Sequence, residues 1–233
     1  MTSSNLIADL EPLIEEPVML PWSGLTLPIK RPAGVDELLD RAEHDPEQNL
    51  PYFAEIWPSG IALADLLAEQ PGYVAGRRVL EIGCGLGITA VSARRSGAQL
   101  TITDYFPESL ALATLNLANS GFEASKTSLL NWRDPASIDA LLVGGKYPIV
   151  LAADVLYESR DIAPLIDFFD QVLAENGVLI LAEPGRPVAA RFITQAAESG
   201  WDIGEIARHD GPWPDPKDVG VSVGIHTLRR LSR

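Results

Sequence analysis

An apolar run that ends on a carboxylate and then opens into glycines at alternate positions can bind a small molecule closely. VLEIGCGLGITA, residues 79–90, does this with Glu81 followed by Gly83, Gly85 and Gly87. Glycine accepts positive φ and puts no Cβ between the main chain and a ligand, so the pattern points to a nucleotide-like cofactor held against backbone. Two cofactor classes use such loops. The nicotinamide fingerprint G-x-G-x-x-G/A fits from Gly85 through Gly87 to Ala90, and Asp104 closes the next apolar run at a distance suited to a ribose. Two features disfavour it. The strand ends at Ile82, so this fingerprint starts late, and a charged Glu81 is poorly placed beside a pyrophosphate. A cofactor with a positive charge is better accommodated.

The elements that must position these residues can be read from period and punctuation. RRVLEI (77–82), QLTITD (99–104), YPIVLAAD (147–154) and GVLILAE (177–183) read as strands, three of them near-continuously apolar as buried parallel strands are. Helical runs lie between them: ITAVSARRSG, then PESLALATLNLANSG, which opens on Pro107 and stops at Gly121, then APLIDFFDQVLAENG to Gly177 and PVAARFITQAAESG to Gly200. Alternation of this kind predicts a parallel sheet with helices on both faces. The tail departs from it. WDIGEIARHD (201–210) and VGVSVGIHTLRR (219–230) are joined by the Pro-rich GPWPDPKD with no helix, which predicts antiparallel pairing and one reversed strand near the C-terminus. Residues 1–50 are less regular: VMLPWSGLTLPIKRP reads as a hairpin and GVDELLDRAE as a short helix, together an N-terminal extension packed on the main domain.

LEIGCGLG resembles the E/D-x-G-x-G-x-G signature of class I, seven-strand S-adenosylmethionine-dependent methyltransferases, and the reversed strand fits that class. The resemblance implies a Rossmann-like three-layer α/β sandwich, with Asp104 binding the ribose hydroxyls of S-adenosyl-L-methionine. Three further stretches narrow it. PYFAEIWPSG (51–60) sets Trp57 before a helix start, LLNWRD (129–134) sets Asn131 and Trp132 after a third strand, and AADVLYESR (152–160) sets Asp154 and Tyr157 at the end of a fourth. Together they are similar to the branch that methylates protein lysines, including the enzymes acting on the β subunit of electron-transfer flavoprotein. By that likeness Trp57, Glu81, Gly83, Gly85, Gly87, Asp104, Asn131, Trp132 and Ala153 hold the cofactor. Asp154 grips the acceptor amine and Tyr157 walls its channel. EPGRP (183–187) is similar to the DPGR of that branch, with Glu183 in place of Asp. The likeness covers roughly residues 50–190, so the expected methyltransferase domain is 51–233 and its substrate side is the less defined part.

Each residue also has a plainer reading. Trp57 and Trp132 serve equally as core aromatics, Asp154 as a helix cap, Tyr157 as packing, and Cys84 as a small residue between glycines. A small-molecule amine methyltransferase on the same scaffold is the alternative function, and a nicotinamide-dependent oxidoreductase the more distant one. Lys plus Arg number 18 against 32 Asp plus Glu, a net charge of -14 that repels phosphate backbones and disfavours nucleic acid or an anionic membrane as partner. The same charge suits a basic protein segment presenting a lysine. No Cys/His cluster has metal-ligand spacing, no apolar run approaches a membrane span, and the start lacks a secretory pattern. With a single cysteine, Cys84, these features predict a cytoplasmic enzyme without a metal.

Overall fold

The computed structural model describes residues 3–34, 38 and 50–231. After a short helix α1 (Ser3–Ala8), strands β1 (Leu13–Met19) and β2 (Thr26–Pro32) pair antiparallel as the expected hairpin. The helix expected in GVDELLDRAE lies outside the described residues but for Gly34 and Leu38. Next come α2 (Pro58–Glu69), β3 (Arg78–Ile82), α3 (Ile88–Arg95), β4 (Gln99–Asp104), α4 (Pro107–Asn119), β5 (Lys126–Leu129) and α5 (Pro135–Leu142). The chain continues through β6 (Tyr147–Ala153), α6 (Ile162–Val172), β7 (Leu173–Glu183), α7 (Pro187–Glu198), β8 (Trp201–His209) and β9 (Val223–Arg230). The main sheet has seven strands in the order β5-β4-β3-β6-β7-β9-β8. β3 to β7 run parallel, and β9 is antiparallel to both of its neighbours, the reversed strand expected from the tail.

Strand period divides the core between the two faces. Val79 of β3 packs with residues of α2, α3 and α4, whereas Leu80 and Ile82 pack with α5, α6 and α7. Glu81 shares the face of Val79 and lies below the start of α3. The hairpin joins that same side: Val18, Leu20, Leu27 and Ile29 are buried there. Asn116 on α4 seals the join. Its side chain accepts from Lys30 N at 2.7 Å and donates to Lys30 O at 2.9 Å, as a neighbouring strand would, and it also donates to Leu86 O at 2.8 Å. Asp65 on α2 does similar work nearby. Fully buried, it accepts from Trp22 N at 2.6 Å and Ser23 N at 2.9 Å, and His209 Nε2 on β8 faces it at 3.1 Å. Gly211 N donates to His209 Nδ1, which leaves the ring hydrogen on the nitrogen that faces Asp65.

One element ends earlier than its sequence implies. α6 stops at Val172 rather than at Gly177, because Leu173 turns extended and pairs with Tyr147 at the foot of β6. Residues 174–177 then loop out before the register resumes at Val178, with Asn176 left-handed at φ 61°. A side chain on Gly177 would sit 2.8 Å from Ala174 O, so the loop closes only around glycine.

Candidate active site

In an open parallel sheet the ligand crevice lies beyond the carboxyl ends of the strands, where the strand order reverses. Here that point is between β3 and β6. The loop after β3 and the loop after β6 touch: a Cβ on Gly83 would lie 3.0 Å from Val155 Cγ1. The cleft above them is lined by Trp57, Gly83, Gly85, Asp104, Asn131, Trp132, Ala153, Asp154 and Tyr157. Nine of the eleven residues selected from sequence thus meet in one place.

The floor is built around Asp104. Its carboxylate ends β4 and accepts from Gly85 N at 3.0 Å and Phe106 N at 3.1 Å, which fixes the glycine loop from the neighbouring strand. Gly83 and Gly85 are left-handed, with φ of 60° and 50°. Cys84 between them is buried against Ser109, whose hydroxyl donates to Gly85 O at 3.0 Å. Burial, then the charges of Asp104 and Glu81, push the Cys84 thiol well above its ordinary pKa, which disfavours the thiolate form. Burial also raises the Asp104 carboxyl, against the pull of its hydrogen bonds from Ser109 and the backbone.

Glu81 and Gly87 fall outside the main cleft. Glu81 lines an adjoining hollow with Gly83, Gly85, Trp57 and Ala153. Its Oε2 is buried without a hydrogen-bond partner, and burial followed by the Asp104 charge raises its pKa well above the carboxylate range. A buried acceptor left in this state fits a cationic ligand group. Gly87 has a different task. It starts α3 at φ 80°, and an added Cβ would lie 2.9 Å from both Cα and Cβ of Ala113. Its missing side chain admits α4, and Gly87 lines neither the cleft nor the adjoining hollow.

The walls are aromatic. Trp57 precedes Pro58 at the first turn of α2, and its indole donates to Tyr52 O at 2.9 Å. Tyr52 stands edge-on to both Trp57 and Tyr157, with ring centroids 5.9 and 5.5 Å apart. Across the cleft, Trp132 donates from Nε1 to Asp161 at 2.9 Å, and Arg133 Nε donates to the same carboxylate oxygen at 2.8 Å. Asn131 holds this turn by accepting from Arg133 N at 2.9 Å. Asp161 is buried and was not singled out from sequence; it lies beyond the quoted AADVLYESR, and only the fold shows what it anchors.

Asp154 is no helix cap. It follows β6 directly in the left-handed region, φ 56°, with its N–H donating to Ala182 O at 3.0 Å, and no helix begins on it. Such a backbone costs on the order of 1–3 kcal/mol and is kept where the fold fixes it. Its carboxylate meets Arg186, whose Nη2 lies 2.9 Å from Oδ1 and 3.0 Å from Oδ2. Burial nevertheless keeps the Asp154 pKa raised, with Arg186 pulling it down and Glu183 and Asp218 adding to the rise. Tyr157 is pushed upward by burial and by Asp104, Asp161 and Glu158, so its phenol stays protonated at neutral pH and can wall or donate but not act as a base. Arg186 belongs to EPGRP, a stretch noticed in the sequence without a role for its arginine.

A family model described as lysine methyltransferase matches residues 45–199. The rat electron transfer flavoprotein beta subunit lysine methyltransferase is 32% identical over 143 residues, which are 59% of this chain and 52% of that protein. The chain thus spans about half the length of that relative. The mouse EEF1A lysine methyltransferase 3 is 30% identical over 175 residues, 73% of this chain and 70% of that protein. Among solved structures, a putative RNA methyltransferase from Pyrococcus horikoshii superposes with a TM-score of 0.58 at 16% identity, over 84% of this chain and 98% of that one. That last likeness concerns the fold.

Proposed function

Because this chain belongs to the lysine methyltransferase family, we propose that it transfers a methyl group from S-adenosyl-L-methionine to the side-chain nitrogen of a lysine in a protein. The observation that carries the reading is a single cleft with a cofactor side and an amine side. Gly83, Gly85 and Asp104, which we assign to the cofactor, and Asp154 and Tyr157, which we assign to the amine, line the same cleft. The residues fit the cofactor. Asp104 brings its carboxylate to the cleft where ribose hydroxyls would bind, the two glycines give a floor without side chains, and Glu81 has a buried, partnerless oxygen for a cationic group. Trp57 and Trp132 would close the sides, while Asn131 and Ala153 complete the rim.

When bound, S-adenosyl-L-methionine supplies a methyl on a sulfonium: the amine nitrogen forms the new N–C bond, the S–C bond breaks with its pair on sulfur, and the amine proton passes to water. The protein contributes position. Holding two reactants in line accounts for about 7–11 kcal/mol of such a barrier. Asp154 accepts an N–H of the amine and aims it, and Tyr157 and Tyr52 form the wall along which the lysine stem passes.

The test is transfer of labelled methyl from S-adenosyl-L-methionine to protein, with the electron-transfer flavoprotein β subunit as the first substrate and a whole-cell extract as the second. Label on lysine by mass spectrometry, reduced about 100-fold or more in Asp154→Asn with cofactor affinity kept within a few-fold, supports the assignment. Label confined to small molecules replaces it with an amine methyltransferase of the same fold.

A further inference from the structure

The carboxylate placed to receive an amine already holds a cation. Arg186 reaches Asp154 with one guanidinium nitrogen at 2.9 and 3.0 Å from its two oxygens, and its Cζ lies 5.6 Å from the Trp57 ring centroid. The contact is built in. Glu183, at the end of β7, accepts from Gly185 N at 2.6 Å with Oε2 and faces His226 Nε2 at 3.4 Å with Oε1. Gly185 then turns at φ 79°, and Arg186 leaves the turn as the N-cap residue just before α7. We propose that Arg186 is a positioning residue that neutralises Asp154, so that the site admits the acceptor lysine as the uncharged amine.

This inference rests on the lysine reading and adds the charge state in which the lysine is bound. An ammonium has no lone pair with which to form the N–C bond. A bare carboxylate beside it favours that inert form, because an opposite charge within hydrogen-bonding distance moves a pKa by about one to three units. Paired with Arg186, Asp154 still accepts an N–H but offers little net charge, and the guanidinium repels a second cation. The other ionisable groups acting on Asp154 are Glu183 and Asp218. Asp104, Arg133 and Tyr157 line the same cleft, with Glu158 and Asp161 acting on Tyr157. All of these remain in an Arg186 variant, but Asp154 itself loses the cation that lowers its pKa, so the rate limb is read together with a direct ammonium titration.

The experiment compares wild type, Arg186→Gln and Arg186→Lys. Initial rates on a random-sequence peptide mixture with one central lysine are measured against pH at saturating S-adenosyl-L-methionine. The expected result for Arg186→Gln is a rising limb shifted to higher pH by about one to three units, with the lost rate recovered in alkali. Arg186→Lys keeps the cation and should keep the limb near its wild-type position. In parallel, n-butylamine, an ammonium at pH 7, is titrated into the S-adenosylhomocysteine-loaded protein and should bind Arg186→Gln at least about tenfold more tightly than wild type. A limb that does not move while the rate falls at every pH would make Arg186 a packing residue. A rate gain at neutral pH would make it a competitor of the substrate. Either result overturns the proposal. If wild type labels no lysine, the lysine reading fails, and the n-butylamine titration still decides for or against Arg186.

Discussion

Gly85 and Gly87 sit two residues apart in one loop, yet Gly85 lines the cleft and Gly87 packs against α4, and alanine at each should separate a proposed cofactor contact from a packing position. A Cβ on Gly85 meets nothing nearer than Phe53 O at 3.5 Å, so the protein has room and the cost is the left-handed backbone at φ 50°. That strain is about 1–2 kcal/mol, offset by about 0.4–1 kcal/mol from a stiffer unfolded chain. For a domain of this size a net change near 1 kcal/mol lowers Tm by about 2–4 °C. On Gly87 the Cβ would stand 2.9 Å from both Cα and Cβ of Ala113, so α3 and α4 must move apart. Overpacking adds about 1–3 kcal/mol to the strain, so the Tm loss should be about two to four times that of Gly85→Ala. Binding should show the reverse order. Gly85→Ala puts a methyl group on the cleft floor, and S-adenosylhomocysteine affinity should fall at least about tenfold, or 1.4 kcal/mol. Gly87→Ala should bind within about twofold of wild type when scaled to folded protein. Scanning calorimetry gives the first quantity and titration calorimetry the second. Wild-type affinity in Gly85→Ala, or lost affinity with unchanged Tm in Gly87→Ala, would refute the division of roles.

Two other outcomes follow from the cofactor side. If Asp104 holds the ribose as proposed, Asp104→Ala would remove charge-assisted bonds worth about 1.5–3 kcal/mol each, so affinity should drop tenfold or more; an unchanged affinity by titration calorimetry in a folded variant would remove Asp104 from the site. Glu81 is held well above its ordinary pKa by burial and by Asp104, so a cationic cofactor should draw it into its charged form and release a proton. Affinity should therefore rise with pH above the ordinary carboxylate range and level off once free Glu81 is ionised. Glu81→Gln should abolish both the rise and the buffer-dependent proton release seen calorimetrically.

The fold was legible because its signals are local. Apolar runs such as QLTITD match β4 residue for residue, and Pro107 and Gly121 bracket α4. The end of α6 was not, since Leu173 is withdrawn from a helical pattern by pairing with Tyr147 on another strand. The cleft followed the same division. Residues at strand ends, Gly83, Asp104 and Asp154, were readable from position, because a parallel sheet gathers those ends together. The groups that hold them were hidden. Arg186 lies 32 residues from Asp154, and Asp161 lies 29 from Trp132, distances across which no periodicity operates. The left-handed backbone of Asp154 was equally invisible, since its residue type suits a helix cap as well.

The bonds that Asn116 and Asp65 make to the hairpin bear on where this chain can be cut. Among the described residues, a protein begun at residue 51 would keep the cleft lining but for Leu50. It would also leave Asp65, wholly buried, without the N–H groups of Trp22 and Ser23, and only His209 to face it. A buried charge stripped of such donors costs several kcal/mol, a large share of the roughly 5–15 kcal/mol that holds an ordinary domain together. Asn116, freed from Lys30, would retain only Leu86 O and with it a looser hold on the glycine loop. The first strands are thus bonded to the helices behind the glycine loop, and a chain trimmed of them is expected to lose folding and cofactor affinity in one transition.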